Sequence, residues 1–212
     1  MAKRMVYTVC SFMAFLLILV LAFIEFTGSM EYPGLPVLTG QIRLSDDSLA
    51  EYFDWLYFTF SIDFLLILMW MVSWWGMTRQ IDVTVKRVRL YGLILGLTAA
   101  ILDIGENLII IWVAEQPQIW VQADASWLPI WFLLREFSYL LAFFGGAFIL
   151  HGLFQSQHIT KMVYTLMLVF SLAAVIGVYV PDLLILGNAW FTFWFLFSGI
   201  VLLRSKNHNP AA

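Results

Sequence analysis

Charge is scarce in this sequence. Of 212 residues, 12% are Asp, Glu, Lys or Arg, against about a quarter in an ordinary water-soluble domain, which excludes the usual soluble globular reading. Cysteine is nearly absent: Cys10 stands alone, so no disulfide can form within the chain and cysteine usage says nothing about redox compartment. The three histidines, His151, His158 and His208, are scattered between a helix end, a connection and the tail. They form no HExxH or other compact ligand spacing, so no metal centre and no cofactor is expected. No loop motif is present to hold a hard cation. The GxSxG elbow, the Walker loop and the dinucleotide fingerprint are all missing, and Ser138 has no histidine beside it to act as base. A serine in such a helix ordinarily bonds its own backbone.

Apolar sequence takes the place of charge, with 62% of residues hydrophobic and 17% aromatic. Six apolar runs stand out, at residues 5–27, 53–77, 88–114, 127–154, 162–180 and 183–204. Each is long enough, at ~1.5 Å per helical residue, to cross a hydrocarbon core of ~30 Å. The longest connection, Gly28 to Tyr52, leaves no room for a soluble catalytic or nucleic-acid-binding domain, so no nucleic-acid partner is expected. The expected fold is all-α: a polytopic membrane protein, one domain over residues 1–212, built as a bundle of six transmembrane helices. Lys3 and Arg4 before the first run imitate a signal peptide. The run is long for one and no Ala-x-Ala site follows, so it reads as a retained span.

Basic residues set the direction. Lys3, Arg4, Arg79, Lys86, Arg87, Arg89, Lys161, Arg204 and Lys206 fall in the segments that a six-span bundle places on one side with both termini. Glu31, Asp46, Asp47, Glu51, Glu115, Asp124 and Asp182 fall on the other, with Arg43 as the one basic residue there. The positive-inside rule then makes both termini cytoplasmic. Ser48 and Glu51 have capping-box spacing before span two, and Asp182 after Pro181 suits the start of span six. Trp120, Trp127 and Trp131 fit an outer aromatic belt, while Trp70, Trp74 and Trp75 approach an inner one. Residues 32–38 read as an irregular loop, and residues 118–126 as a segment along the interface.

Polar groups inside the spans carry the functional question. Counting from span ends puts Asp63 and Asp103 near the midplane and Glu106, Asn107, Arg135 and Glu136 in the outer half, with Glu25 and Asn188 also toward that side. At ~100° per residue, Gly92, Gly96, Ala99, Asp103, Glu106 and Asn107 share one face of span three. Arg135, Ser138, Tyr139, Ala142 and Gly146 share one of span four, with Glu136 a quarter turn away. The Gly92–Gly96 spacing permits close helix approach. Spans three and four should therefore pack together, with Asp103 or Glu106 reaching Arg135 and span two bringing Asp63 and Thr59. Five ionisable groups at ~2.5 to 3.5 kcal/mol each sum to roughly 12 to 18 kcal/mol of insertion cost before pairing. One Arg can hold one carboxylate well or share itself between two. The surplus acids must be protonated, solvated by a cavity or bound to a cation.

Asp63 in span two, Asp103, Glu106 and Asn107 in span three and a basic residue in span four together resemble a pattern in small uncharacterised bacterial inner-membrane proteins, with Asp-x-x-Glu-Asn in the third span. The resemblance implies a multi-pass protein of the cytoplasmic membrane and brings no activity with it. Three functions follow from the residues. The chain binds or carries a proton, a cation or a small polar or lipid-like ligand at Asp63, Asp103, Glu106, Asn107, Arg135, Glu136 and Tyr139. Alternatively, it is an accessory subunit of a larger membrane complex, with lipids and other membrane proteins as partners. A third reading is an enzyme on a membrane-embedded substrate, with Asp103 and Glu106 as acid and base.

Overall fold

The computed structural model describes residues 2–31, 46–115, 127–180 and 184–204. Among them run six α-helices: α1 (Ala2–Glu31), α2 (Asp46–Thr78), α3 (Lys86–Ala114), α4 (Leu128–Gln155), α5 (Lys161–Tyr179) and α6 (Leu184–Arg204). A 3-10 turn at Val83–Val85 joins α2 to α3. Five of the helices hold stretches long and apolar enough to cross a membrane, and α6 adds a shorter apolar stretch over Ala189–Arg204. Helices suit such a chain because each satisfies its own backbone polar groups where no water can.

Local sequence explains several helix ends. Pro129 sits in the first turn of α4, where its missing N–H costs nothing. The Thr160 hydroxyl caps α5 by accepting from the Val163 amide at 3.4 Å. Helix α2 starts at Asp46, so Ser48 lies inside the helix and is not its cap, contrary to the capping-box expectation. Pro181 and Asp182, the loop at 32–38, residues 118–126, Arg43 and Trp120 lie outside the described residues.

The helices run so that one end of the bundle collects the first turn of α1 and the last turn of α6. There Arg4 donates to the Leu203 carbonyl at 2.6 Å, the Tyr7 side chain lies against Gly76, and the Asp82 amide donates to Ser156 Oγ at 2.9 Å. Lys3, Arg79, Lys86, Arg87, Arg89 and Lys161 stand on the helix ends that meet at this side. The described basic residues outside the spans thus do share one end, as their spacing predicts.

In lipid the hydrophobic effect gives helices little reason to associate, so contact rests on close packing and hydrogen bonds. Small residues meeting large aromatics supply both. The most extensive interface is α3 with α4, as the glycine spacing predicts. A Cβ on Gly145 would lie 3.0 Å from the Gly96 amide nitrogen, and one on Gly92 would lie 2.9 Å from Ile149 Cγ1. Trp74 of α2 occupies the hollow over Gly96, and its indole N–H donates to the Gly92 carbonyl at 2.8 Å. Trp190 of α6 fills the space over Gly146 and donates to Ser171 Oγ of α5 at 2.7 Å. Trp190 and Trp194 stack with ring centres 5.0 Å apart, and Trp194 lies 5.1 Å from Trp74.

This aromatic core revises the belt expectation. Trp70 and Trp74 are buried and belong to the core, whereas Trp75 is exposed with Arg79 over its ring at 5.4 Å. Trp127 and Trp131 are also buried, in a second cluster with Tyr52, Leu56, Ile110 and Val113. They close the end of the bundle opposite the termini and do not face lipid.

A buried hydroxyl pair ties α1 to α2, with Ser11 Oγ and Ser73 Oγ 2.6 Å apart. Interhelical bonds of this kind are worth about 0.6 kcal/mol on average and up to about 1.7 in a membrane protein. A double-mutant cycle of Ser11→Ala and Ser73→Ala, read by unfolding in mixed micelles, should give a coupling in that range. Zero coupling would mean that the two hydroxyls do not interact with each other in the folded state.

Candidate solute-binding cleft

Helices α1, α2, α3, α4 and α6 surround a cavity of about 490 Å³ in the half of the bundle away from the termini. Helix α2 presents Trp55, Thr59, Asp63 and Trp70 to it, positions that recur at helical spacing along one face. Helix α3 adds Asp103, Glu106 and Asn107, above the glycines that bring it against α4. Helix α4 supplies Trp131, Arg135, Ser138 and Tyr139. Of the seven residues singled out by sequence, Asp63, Asp103, Glu106, Asn107, Arg135 and Tyr139 line one cavity, and Glu136 does not. The side chains of Glu25 and Asn188 are outside the described set.

Two sequence expectations about these groups need correction. The carboxylates are not buried: Asp63, Asp103, Glu106 and Glu136 are each half-buried, and Asn107 is the buried member. For Asp63, Asp103 and Glu106 the reason is the cavity itself, which they line. Nor does Arg135 reach an acid. Among the described residues no ion pair within 4.0 Å joins it to a carboxylate. Its guanidinium lies over the Trp131 ring at 5.4 Å and the Tyr139 ring at 6.0 Å. Cation–π contact partly replaces the missing anion.

Other contacts fix the geometry. Asn107 Nδ2 donates a short hydrogen bond to Asp63 Oδ2, linking α3 to α2. The Thr59 hydroxyl donates to the Trp55 carbonyl at 2.9 Å, and the Ser138 hydroxyl to the Arg135 carbonyl at 2.8 Å. Ser138 thus bonds its own helix, as expected of a serine with no base beside it. Asp103 feels the negative charges of Asp63 and Glu106, while Arg135 attracts Glu106 from beyond ion-pair distance. The buried Trp131 indole N–H faces the Glu106 carboxyl, which is its acceptor. Trp70 Nε1 is buried and unpartnered.

Sequence reasoning missed the tryptophans of the cleft and the α6 wall, which contributes Phe191, Thr192 and Phe195. For Trp131 a signal was present, because it stands one turn before Arg135 on the face already identified. For α6 there was none, since Phe and Leu occur all round that helix. No group of three or more His, Cys, Asp or Glu among the described residues could hold a metal ion.

A second cavity of about 510 Å³ lies at the terminal end between α5 and α6, with Arg204 as the one charged residue on its described wall. It lacks the opposed charges of the first. Comparison of the chain with protein-family models, with curated proteins and with solved structures finds no match in any of the three, so the reading of the cleft rests on its own geometry.

Proposed function

We propose that this chain is a multi-pass protein of a bacterial inner membrane that crosses six times, keeps both termini in the cytoplasm and binds or carries a small cationic or polar solute in the cleft. The observation that carries the reading is a cavity of about 490 Å³ lined by three carboxyl groups and by Arg135, which makes no ion pair among the described residues. That volume falls within the roughly 300 to 1,000 Å³ typical of small-molecule sites. Ionisable groups in a membrane interior are costly and mark pathways or binding sites by default. The six-span topology is supported by the 21 residues of α6, which span ~1.5 Å each, and by the basic residues gathered at the terminal end. The positive-inside rule turns that end to the cytoplasm.

Thr59, half-buried on the cleft wall, gives a direct test. With the single native thiol removed by Cys10→Ser, a Thr59→Cys variant in sealed, oriented vesicles should react with a membrane-impermeant maleimide added on the non-cytoplasmic side. Reaction from the cytoplasmic side alone would reverse the topology. No reaction from either side, with full labelling after denaturation, would mean that the cleft is closed to solutes.

A further inference from the structure

The geometry points to an organic amine as the ligand of the cleft, its ammonium held by Asp103 and Glu106 and an acceptor oxygen, a few bonds away, received by Arg135. This rests on the reading of the cleft as a solute site and narrows it to one chemical class. Charge comes first. Asp63, Asp103, Glu106 and Arg135 are the ionisable residues of the wall, three acids to one base, so a cation is the ligand that lets the acids ionise together. Asp63 already accepts from Asn107, which leaves Asp103 and Glu106 to meet the ligand.

The walls then separate an organic cation from an inorganic one. A bare metal ion needs several oxygen or nitrogen donors around one point, and the described residues offer no such group. The cavity is far larger than an ion, and Trp70, Trp131, Tyr139 and Phe191 stand on its sides. Aromatic faces attract ammonium groups and cover the carbon atoms that accompany them.

A plain alkylamine would satisfy only half of the site. Arg135 makes no ion pair among the described residues. Its guanidinium donates and cannot accept. Leaving such a donor unanswered in a low-dielectric site is unfavourable, so a ligand that adds a hydroxyl, carboxylate or phosphate oxygen to its amine is preferred. Amino alcohols and aminophosphates have that form, whether free in solution or as the head group of a phospholipid.

The test uses the full chain in phosphatidylglycerol nanodiscs and reads tryptophan fluorescence against ethanolamine, ethylamine, ethylene glycol and sodium. Saturable binding of both amines is expected, ethanolamine at least fivefold tighter, with no competition from ethylene glycol or sodium. Glu106→Gln should weaken both amines at least tenfold. Arg135→Gln, which removes the guanidinium, should erase the advantage of ethanolamine over ethylamine. Circular dichroism identifies any variant that fails to fold, and the wild-type comparison of the two amines decides the matter without a variant.

Adding phosphatidylethanolamine to the discs separates the two sources. A tenfold rise in the apparent Kd for ethanolamine assigns the site to the lipid head group, and no rise assigns it to a free amine; each supports the amine. Failure of both amines to bind, or displacement of ethanolamine by sodium or ethylene glycol, would overturn it. The broader solute reading stands or falls separately, on the labelling of Thr59→Cys.

Discussion

Gly96→Leu is expected to disrupt the bundle while leaving every polar residue of the cleft in place. A Cβ at position 96 would run into Trp74 Nε1, so the indole would have to leave its hollow. It has nowhere to go, because Trp70 stands 5.7 Å away on one side and Trp194 stands 5.1 Å away on another. Overpacking of this kind costs about 1 to 3 kcal/mol, and loss of the Trp74 bond to the Gly92 carbonyl adds about 1. The better helix propensity of Leu returns less than ~1 kcal/mol. A net loss of about 1 to 3 kcal/mol should appear as a lower unfolding midpoint in mixed micelles. Gly105→Ala is the matched control on the same helix, since its Cβ would meet only Leu134 Cδ1 at 3.6 Å. It should be neutral or mildly stabilising. Equal loss at both positions would show that close packing of Trp74 does not hold α2 to α3.

The second large effect separates fold from function at the cleft. Asp103→Asn combined with Glu106→Gln removes two of the three acids that line it. Acids whose role is to lock helices would be missed by the fold, and the double variant would be strongly destabilised, as when one partner of a buried ion pair is deleted. Here neither acid is ion-paired within 4.0 Å among the described residues, and a neutral amide is cheaper to place in a membrane than a charge. The double variant should therefore fold at least as stably as the natural chain and lose amine binding at least a hundredfold, which corresponds to about 2.8 kcal/mol. Stability lost together with binding would make the acids structural.

How far the sequence could be read follows from where polarity breaks the apolar background. The helices, the gathering of basic residues at one end and the α3–α4 contact were legible, because Gly92, Gly96 and the charged positions stand out against Leu, Ile and Phe. The co-location of Asp63, Asp103, Glu106, Asn107 and Arg135 was legible for the same reason. What was not legible is which apolar surface meets protein. In a helix that is apolar all round, periodicity does not distinguish a lipid-facing tryptophan from a core one. Trp127 and Trp131 were therefore placed in an interfacial belt, although they are buried beside Tyr52 and Leu56. Pairing was also beyond reach. Helical phase brings Arg135 to the acids, but only the packing of α4 decides that its guanidinium lies over Trp131 and Tyr139.

The central claim is that the cleft is a ligand site between opposed charges and is not an ion pair seen open. A high-resolution structure of the full chain in lipid nanodiscs, with ethanolamine present, tests it most directly. The account predicts density between Asp103, Glu106 and Arg135 for a molecule the size of the amine or of a lipid head group, with Arg135 still stacked on Trp131. A cleft collapsed on itself, with Arg135 paired directly to Glu106 and no density between them, would contradict it.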